Sequence, residues 1–276
     1  GPHDRMGLRR AALEEVPMVS PTLRRVFRTV LAVVLAAASL AAVGEVRAQD
    51  VGLGSSSALD QLKRGYTAMG EGAYEVALEH YRRALERATT TELRFQANLG
   101  IGSAAAALGL FEDAHLALET ALEIKPTSSE ALLALGELAK ARQRWDEAAS
   151  FFAEAAVNDP QLVEALTQLG VVYEHQGRHR DAADVCGRAV ALLPEDEEAQ
   201  LCLGVARYHL GQYAEASRWF AAVVERNPGN ARARYGLGLA QLYLEDRDGA
   251  AASLAELEKL DPVLARDLQE RLNPKP

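Results

Sequence analysis

The sequence predicts an all-α fold, a solenoid of six helix-turn-helix repeats followed by a C-terminal capping helix. The main observation is a fixed period, because six glycines are spaced by 37 residues and then four times by 34, at Gly65, Gly102, Gly136, Gly170, Gly204 and Gly238. An alanine follows each glycine after twelve residues, at Ala77, Ala114, Ala148, Ala182, Ala216 and Ala250. A period in this range is typical of a repeat array in which each unit stacks on its neighbours.

Within each unit, the pattern predicts two helices. With glycine at position eight, the units begin at residues 58, 95, 129, 163, 197 and 231. Positions 20, 24 and 27 hold small, large and small side chains at the spacing of one helix face. We expect the glycine to face the alanine, so that the two helices pack closely. Proline removes a backbone donor and disfavours helix in the residue before it, so it is predicted to end the second helix at Pro126, Pro160, Pro194, Pro228 and Pro262.

The two ends of the array differ from its middle. Arg64 replaces the apolar residue of position seven in the first unit, as expected where no earlier repeat covers it. Three extra residues near 91–93 are predicted to lengthen the first helix of the second unit. After the last repeat, one helical stripe carries Leu264, Leu268 and Leu272. The predicted boundaries are 58–262 for the solenoid and 263–276 for the capping helix and tail.

These columns resemble a known family. Glycine at position eight, alanine at 20, a large residue at 24, a small residue at 27 and proline at 32 are similar to the tetratricopeptide repeat (TPR), over residues 58–262. The resemblance implies a right-handed α-α solenoid that binds polypeptides. Two columns depart from the family. Its tyrosine at position 11 survives only as Tyr173, and its bulky residue at position four is replaced by Gln61, Asn98, Leu132, Leu166, Gln200 and Arg234.

The first 57 residues predict a targeting segment. We interpret residues 1–17 as an added extension and residues 18–48 as a secretory signal peptide, because arginines precede the uncharged apolar run 30–43 and a small-residue cleavage signature ends at Ala48. The run has 14 residues, whereas a membrane-spanning helix needs about 20. We therefore predict a flexible linker over 49–57 and a periplasmic or secreted mature chain that does not insert into the membrane. The alternative is an uncleaved segment that anchors the chain in the inner membrane.

The charge of the mature part argues against a nucleic-acid partner. Beyond residue 48, the chain has 23 Lys and Arg against 35 Asp and Glu, a net charge of −12. Binding to nucleic acid depends on neutralising phosphates with cations. The expected partner is therefore a protein or peptide.

The family resemblance implies that the first helix of each unit lines a concave groove. In this chain, the groove positions are mostly apolar, which suits an amphipathic helix or an extended hydrophobic segment. Position six is small in Gly100, Ala134 and Gly236, which would leave space for a ligand near the backbone. The predicted partner-binding residues are Leu62, Tyr66, Leu99, Leu133, Glu137, Gln168, Val171, Leu201, Val205, Tyr208, Tyr235, Leu239 and Tyr243.

The same stripe has two other interpretations, which are packing against neighbouring helices and self-association into a homo-oligomer. An acidic edge, formed by position two of three units, could steer a basic partner. The alternative is that acidic residues in a first turn simply interact with the helix dipole. These residues are Glu130, Glu164 and Glu198.

No pattern in the sequence predicts catalysis. His175 and His179 are four residues apart, but they lack the intervening glutamate of a zinc-protease helix. His175 and His209 share position 13 in adjacent units, which favours a surface pair over a metal site. Cys186 lies in a core column and Cys202 in a groove column, so we expect them to point apart. We predict no catalytic residue, no cofactor and no metal. The leading hypothesis is an exported scaffold rather than an enzyme.

Overall fold

The computed structural model describes residues 57–273. The predicted extension and signal peptide, and most of the predicted linker, lie outside this range. The described residues form thirteen α-helices and no β-strand, which confirms the predicted all-α helix-turn-helix solenoid. The helices belong to two compact units, an N-terminal unit that ends at Pro160 and a C-terminal unit that begins at Gln161.

The N-terminal unit consists of three helix pairs. Each helix packs against its partner in the pair, and α2 and α4 also contact the first helix of the next pair. Two clusters of buried apolar side chains fill the spaces between these helices. The helices are α1 (Ala58–Gly70), α2 (Tyr74–Glu86), α3 (Thr91–Ala107), α4 (Phe111–Ile124), α5 (Ser129–Ala141) and α6 (Trp145–Asn158).

The C-terminal unit repeats this arrangement and adds one helix. Its last helix packs on α11 and α12, where Leu264, Leu268 and Leu272 are buried, so the predicted leucine stripe faces the protein. The helices are α7 (Val163–His175), α8 (His179–Leu192), α9 (Glu197–His209), α10 (Tyr213–Arg226), α11 (Ala231–Tyr243), α12 (Arg247–Leu260) and α13 (Pro262–Leu272).

The nearest neighbour of the repeating glycine is the side chain at position 24 in most pairs, and the predicted alanine also lies close at Gly102, where an added Cβ would be 3.2 Å from the carbonyl oxygen of Ala114. A Cβ added at Gly136 would lie 2.5 Å from Cε1 of Phe152, and one added at Gly204 would lie 2.8 Å from the same atom of Phe220. The residue of position 24 fills this place in the first five pairs, as a ring or a leucine in four of them and as Cys186 in the fourth pair. In the last pair, Leu268 of the capping helix lies against Gly238. The glycine is therefore needed because a neighbouring side chain occupies the space of its missing Cβ.

The turn inside each pair contains one residue with a left-handed backbone. Its φ angle lies between 72° and 77° in the four turns where it is glycine, the residue that adopts this conformation without a Cβ penalty. In the other two turns the place is taken by Gln143, with φ of 57°, and Glu245, with φ of 62°. The backbone geometry of the turn is thus retained even where the sequence does not supply glycine.

Helix ends follow the sequence signals. Side chains cap most of the first helices by accepting a hydrogen bond from a first-turn amide, as Ser128 does for α5 and Asp196 for α9. The second helices α4, α6, α8, α10 and α12 each end within two residues of the predicted proline. Helix α3, the first helix of the second repeat, has 17 residues, whereas α1 has 13, which confirms the predicted lengthening.

Three of the four polar residues at position four are buried and hydrogen-bonded, whereas Arg234 is partly exposed. Gln61 Oε1 lies 2.7 Å from His80 Nδ1, and the amide nitrogen of Asn98 donates to the carbonyl oxygen of Arg94 at 2.9 Å. Gln200 donates to the carbonyl oxygen of Pro194 at 2.6 Å. These partners explain how the array accommodates polar groups where the family has bulky apolar ones.

The two cysteines form a disulfide, contrary to our expectation that they would point apart. Cys186 of α8 and Cys202 of α9 have Cα atoms 5.9 Å apart, within the usual range for a disulfide. Both sulfur atoms lie beside Gly170 of α7, in the place that an aromatic ring or a leucine fills in the other pairs. The expectation was wrong because position six, which was assigned to the groove, is inside the packed array at Cys202.

Candidate functional site

Most of the predicted groove residues are buried. Eight of the thirteen have almost no exposed surface: Leu62, Tyr66, Leu99, Leu133, Gln168, Leu201, Tyr235 and Leu239. The physical reason is that a first helix also packs against the first helices next to it, as α3 does with α1 and α5. For these eight residues, the structure supports the packing interpretation of the stripe.

The other five predicted groove residues reach solvent. Glu137, Val171, Val205 and Tyr208 are partly exposed, and Tyr243 is 54% exposed. Glu137 accepts a hydrogen bond from Lys140 at 2.8 Å within α5. Whether these five residues contact a partner stays a prediction.

The small residues of position six do not leave open space. A Cβ added at Gly100 would lie 2.6 Å from ring atoms of Tyr81, and one added at Gly236 would lie 2.7 Å from Cζ of Phe220. Each ring comes from the second helix of the preceding pair. The predicted room for a ligand beside the backbone is therefore filled by the protein, and that prediction was wrong at these two glycines.

The predicted acidic edge residues lie in the first turns of three helices. Glu130, Glu164 and Glu198 are each partly exposed. Glu130 accepts a hydrogen bond at 3.1 Å from the hydroxyl of Ser128, the residue that caps α5. This position is compatible both with stabilisation by the helix dipole and with attraction of a basic partner.

Tyrosine side chains form a cluster at the ends of α9 and α11. The rings of Tyr213 and Tyr243 are stacked, with centroids 4.4 Å apart and planes inclined by 11°. The edge of Tyr208 meets both rings, at centroid distances of 5.5 Å and 5.7 Å. Aromatic pairs in these geometries are attractive beyond their area burial. Because Tyr243 remains largely exposed, the cluster presents a packed aromatic surface to solvent.

Beside this cluster lies an open cleft of about 580 Å³ between α11, the turn that follows it and the capping helix. Its walls combine apolar and aromatic groups with two arginines and one glutamate. The lining residues are Leu239, Leu242, Tyr243, Glu245, Arg247 and Arg271.

A polar network positions Arg271, one of the residues that line the cleft. Asp267 of α13 accepts a hydrogen bond from Nε of Arg271 at 2.6 Å and another from the hydroxyl of Tyr235 in α11. Burial raises the pKa of Tyr235, and its hydrogen bond to the Asp267 carboxylate raises that pKa further. The network fixes the capping helix to α11, so the Arg271 guanidinium has a defined place in the cleft.

A cluster of possible metal ligands lies at the same C-terminal end of α9, next to the tyrosine cluster. The sequence drew attention to His175 with either His179 or His209, but the structure brings His179 and His209 together with Glu174. The glutamate was overlooked because it follows no metal-binding motif in the sequence.

The sequence model of the tetratricopeptide repeat family matches the chain in five overlapping stretches, residues 62–129, 101–163, 133–197, 167–231 and 201–265. Together these stretches cover most of the sequence. The chain belongs to the tetratricopeptide repeat family. This confirms the resemblance seen in the glycine, alanine and proline columns, although the matches are overlapping stretches rather than six separate units. Membership of this family indicates a scaffold for protein–protein interaction.

Solved TPR structures resemble the chain over most of its length. YrrB, described as a TPR protein with an unusual peptide-binding site, is 25% identical, with a TM-score of 0.57, and the match covers 70% of this chain and 99% of YrrB. PilF of Pseudomonas aeruginosa is 19% identical, with a TM-score of 0.68 and coverage of 77% and 96%. MamA is 25% identical, with a TM-score of 0.54 and coverage of 60% and 97%. Among curated proteins, no sequence matches this chain.

Within residues 57–273, no helix combines the length and the apolar character required to cross a bilayer. The cleft residues were only partly found from the sequence, which singled out Leu239 and Tyr243 but not Arg247 or Arg271. The last two escaped notice because they belong to a turn and to the capping helix, outside the first-helix positions that the resemblance implies.

Proposed function

We propose that this TPR protein is an exported scaffold that binds a polypeptide segment of a partner protein in the cleft beside Tyr243. Such a scaffold would serve envelope assembly, secretion or enzyme maturation. The observation that carries the proposal is the combination, in one open cleft, of an exposed aromatic ring with Leu242 and two arginines. Aromatic and arginine side chains are the residues that most often dominate binding energy at protein interfaces.

The chemistry of the cleft favours a segment with an apolar side chain next to an acidic group. The Tyr243 ring and Leu242 offer a surface on which an apolar side chain can pack. Arg247 is exposed at the beginning of α12, and Arg271 projects from the capping helix. A carboxylate of the partner could accept hydrogen bonds from either guanidinium group.

Export is supported by the leader-like sequence, in which arginines precede an apolar run that is shorter than a membrane span. Fractionation of cells of the source organism tests this part of the proposal. We expect the chain in the periplasm or the medium, starting near Gln49. A cytosolic chain that retains the complete leader contradicts export but leaves the binding proposal intact.

Capture of partners from an extract of the cell envelope tests the binding proposal. The test variants are Tyr243→Ala and Arg247→Ala, at exposed positions whose loss should leave the helical circular dichroism signal unchanged. The matched control is Leu116→Ala, which removes another exposed apolar side chain from α4. We expect wild type and control to capture similar amounts of the same partner. Each cleft variant should capture at least about tenfold less of it, as expected for residues that dominate an interface. Equal capture by all four proteins would contradict the proposal.

Self-association is the second candidate, because large apolar residues are exposed outside the cleft, with Val157 at 75% and Leu116 at 68% exposure. Exposed apolar surface can mark an interface between copies. Light scattering over a range of protein concentrations separates the two candidates. A constant monomeric mass contradicts self-association, and a dimer that Leu116→Ala and Val157→Ala dissociate supports it.

A further inference from the structure

We infer that Glu174, His179 and His209 form a binding site for one divalent transition-metal ion, with Zn²⁺ as the reference ion. The three residues come from three neighbouring elements of the C-terminal unit. Glu174 lies in the last turn of α7, His179 is the first residue of α8, and His209 is the last residue of α9. The short turn from α7 to α8 and the packing of α8 on α9 bring them together.

The ligand atoms already lie close to the separations that a metal ion needs. Oε2 of Glu174 is 2.9 Å from Nδ1 of His179 and 3.7 Å from Nε2 of His209, and all three ligand atoms lie within 4.8 Å of one another. In a tetrahedral zinc site with bonds of about 2.0–2.2 Å, two ligand atoms are roughly 3.4 Å apart. A side-chain adjustment of about 1 Å is therefore enough to place all three atoms around one ion.

The donor set matches a defined class of metal. Two imidazole nitrogens and one carboxylate oxygen suit Zn²⁺ and its neighbours among the first-row divalent ions, whereas Ca²⁺ and Mg²⁺ prefer oxygen ligands only. Three protein ligands leave at least one coordination position for water or for a donor atom from another molecule.

Burial and packing hold the three ligands in place. The Glu174 side chain is only 11% exposed, His179 is 25% exposed and His209 is 39% exposed, so the cluster is ordered by its surroundings and still reachable from solvent. The two imidazole rings are stacked with centroids 4.6 Å apart and planes inclined by 17°. The edge of Tyr208 also packs against the His209 ring. The disulfide between Cys186 and Cys202 links the two helices that carry the histidines.

The same three residues could instead form only an ion pair, with a protonated histidine beside the carboxylate. The two interpretations differ in a measurable way, because an ion pair needs no metal and a metal site has a stoichiometry of one. The chain also provides a matched pair without the third ligand. His115 Nε2 lies 3.2 Å from Glu119 Oε1 in α4, and no other histidine, cysteine or carboxylate completes a group of three there among residues 57–273.

Isothermal titration calorimetry of the full chain with ZnCl2, after treatment with a chelator and at about neutral pH, tests the inference. We expect one Zn²⁺ per chain in the wild type and in the control His115→Gln. His179→Gln and His209→Gln should each weaken binding at least about tenfold, because even residues that only support a metal ligand contribute that much. His209 is the more exposed of the two, so its variant should keep the wild-type circular dichroism spectrum.

Thermal unfolding with and without Zn²⁺ provides a second measurement, since an ion that binds only the folded state raises the unfolding temperature. The increase should occur in the wild type and the His115→Gln control and be absent in both site variants. Absence of binding in the wild type overturns the inference. Binding that persists in both His179→Gln and His209→Gln also overturns it, because the ion would then be held elsewhere in the chain.

Discussion

Gly236 of α11 lies directly against the ring of Phe220 of α10, so that a Cβ added to the glycine would be 2.7 Å from Cζ of the ring. Contacts of this kind occur wherever the repeat places a glycine opposite the large residue of position 24. They explain why the columns of small and large residues occur together in the sequence. The fit between them determines how closely successive helices approach.

We expect Gly236→Ala to destabilise the protein by about 1–3 kcal/mol, the usual cost of overfilling a packed core. The control is Gly187→Ala, because Gly187 lies in the middle of α8 and a Cβ there would meet no atom within 4 Å. That control should be up to about 1 kcal/mol more stable than wild type, since alanine is the better helix former. Urea unfolding followed by circular dichroism measures both. Similar effects of the two changes would show that helix propensity, rather than contact with Phe220, determines the result.

The left-handed turn residues predict a stabilising change. Gln143 adopts a positive φ that four equivalent turns assign to glycine. We expect Gln143→Gly to raise the free energy of unfolding by about 1 kcal/mol, because glycine avoids the Cβ clash of this conformation. The reverse change, Gly177→Ala, should destabilise the protein by about the same amount. A lower unfolding midpoint for Gln143→Gly would contradict the assigned backbone geometry.

Tyr81 predicts both a stabilising substitution and a pH dependence. Its ring is fully buried, and no group among the described residues is placed to bond its hydroxyl oxygen. Since an unsatisfied buried hydroxyl costs about 1–3 kcal/mol, Tyr81→Phe should stabilise the protein near neutral pH.

Burial also raises the pKa of Tyr81, so the folded state keeps the phenol protonated where the unfolded state begins to lose its proton. The contribution of Tyr81 to the free energy of unfolding is constant below the pKa of an unfolded tyrosine, about 10. As pH rises above that value, the protein becomes less stable. Urea midpoints between neutral pH and pH of about 11 should therefore fall in the wild type and fall less steeply in Tyr81→Phe. Tyr66 has a pKa raised by burial as well, so part of the slope should remain. Parallel slopes in both proteins would argue against a buried Tyr81.

The disulfide predicts a redox-dependent stability. Cys186 and Cys202 are 16 residues apart in sequence, and a crosslink that closes a loop of this size stabilises a protein by about 3 kcal/mol. We expect dithiothreitol to lower the urea midpoint of the wild type and to leave the variant Cys186→Ala/Cys202→Ala unchanged. Thiol labelling of unreduced, denatured protein should detect no reactive thiol. Labelling of both cysteines without reductant would contradict the bridge.

The burial of the groove column predicts that charges there unfold the protein instead of only blocking a partner. Leu133 and Leu201 are both almost completely buried, in the N-terminal and C-terminal units respectively. Either leucine changed to glutamate should destabilise the protein by about 3–5 kcal/mol, since an uncompensated charge would be buried. Glutamate in place of exposed Tyr243 should cost far less. Native-like unfolding midpoints for Leu133→Glu and Leu201→Glu would show instead that these two positions line an open groove.

The sequence predicted the helix pairs well because their signals are local. Glycine, alanine and proline repeat at fixed positions, and leucines at positions 264, 268 and 272 form one stripe of a helix. The same signals could not decide which face of a first helix is open. A leucine stripe at helical spacing is equally compatible with a groove and a core, and the decision depends on neighbouring first helices that only three-dimensional packing brings into contact.

The remaining errors have the same origin. Glu174, His179 and His209 come from three elements, and the sequence separation of 35 residues between the first and the last conceals their proximity. Cys186 and Cys202 were assigned opposite directions because the two columns were treated as core and groove, whereas Gly170 leaves both sulfur atoms room on one side of α7. A cysteine at position 24 of one repeat, followed by a cysteine at position six of the next repeat, could have suggested the bridge.

The Cys186–Cys202 bridge joins the second helix of one repeat to the first helix of the following repeat. In a linear array, each unit is held only by its neighbours, so fraying can begin at an end and advance one helix at a time. Peeling that starts at the capping helix can proceed through α12, α11 and α10, but at α9 it meets a covalent tether to α8. In an oxidising compartment, α8 and α9 would consequently detach together or not at all. Helices that are held only by packing can separate one at a time.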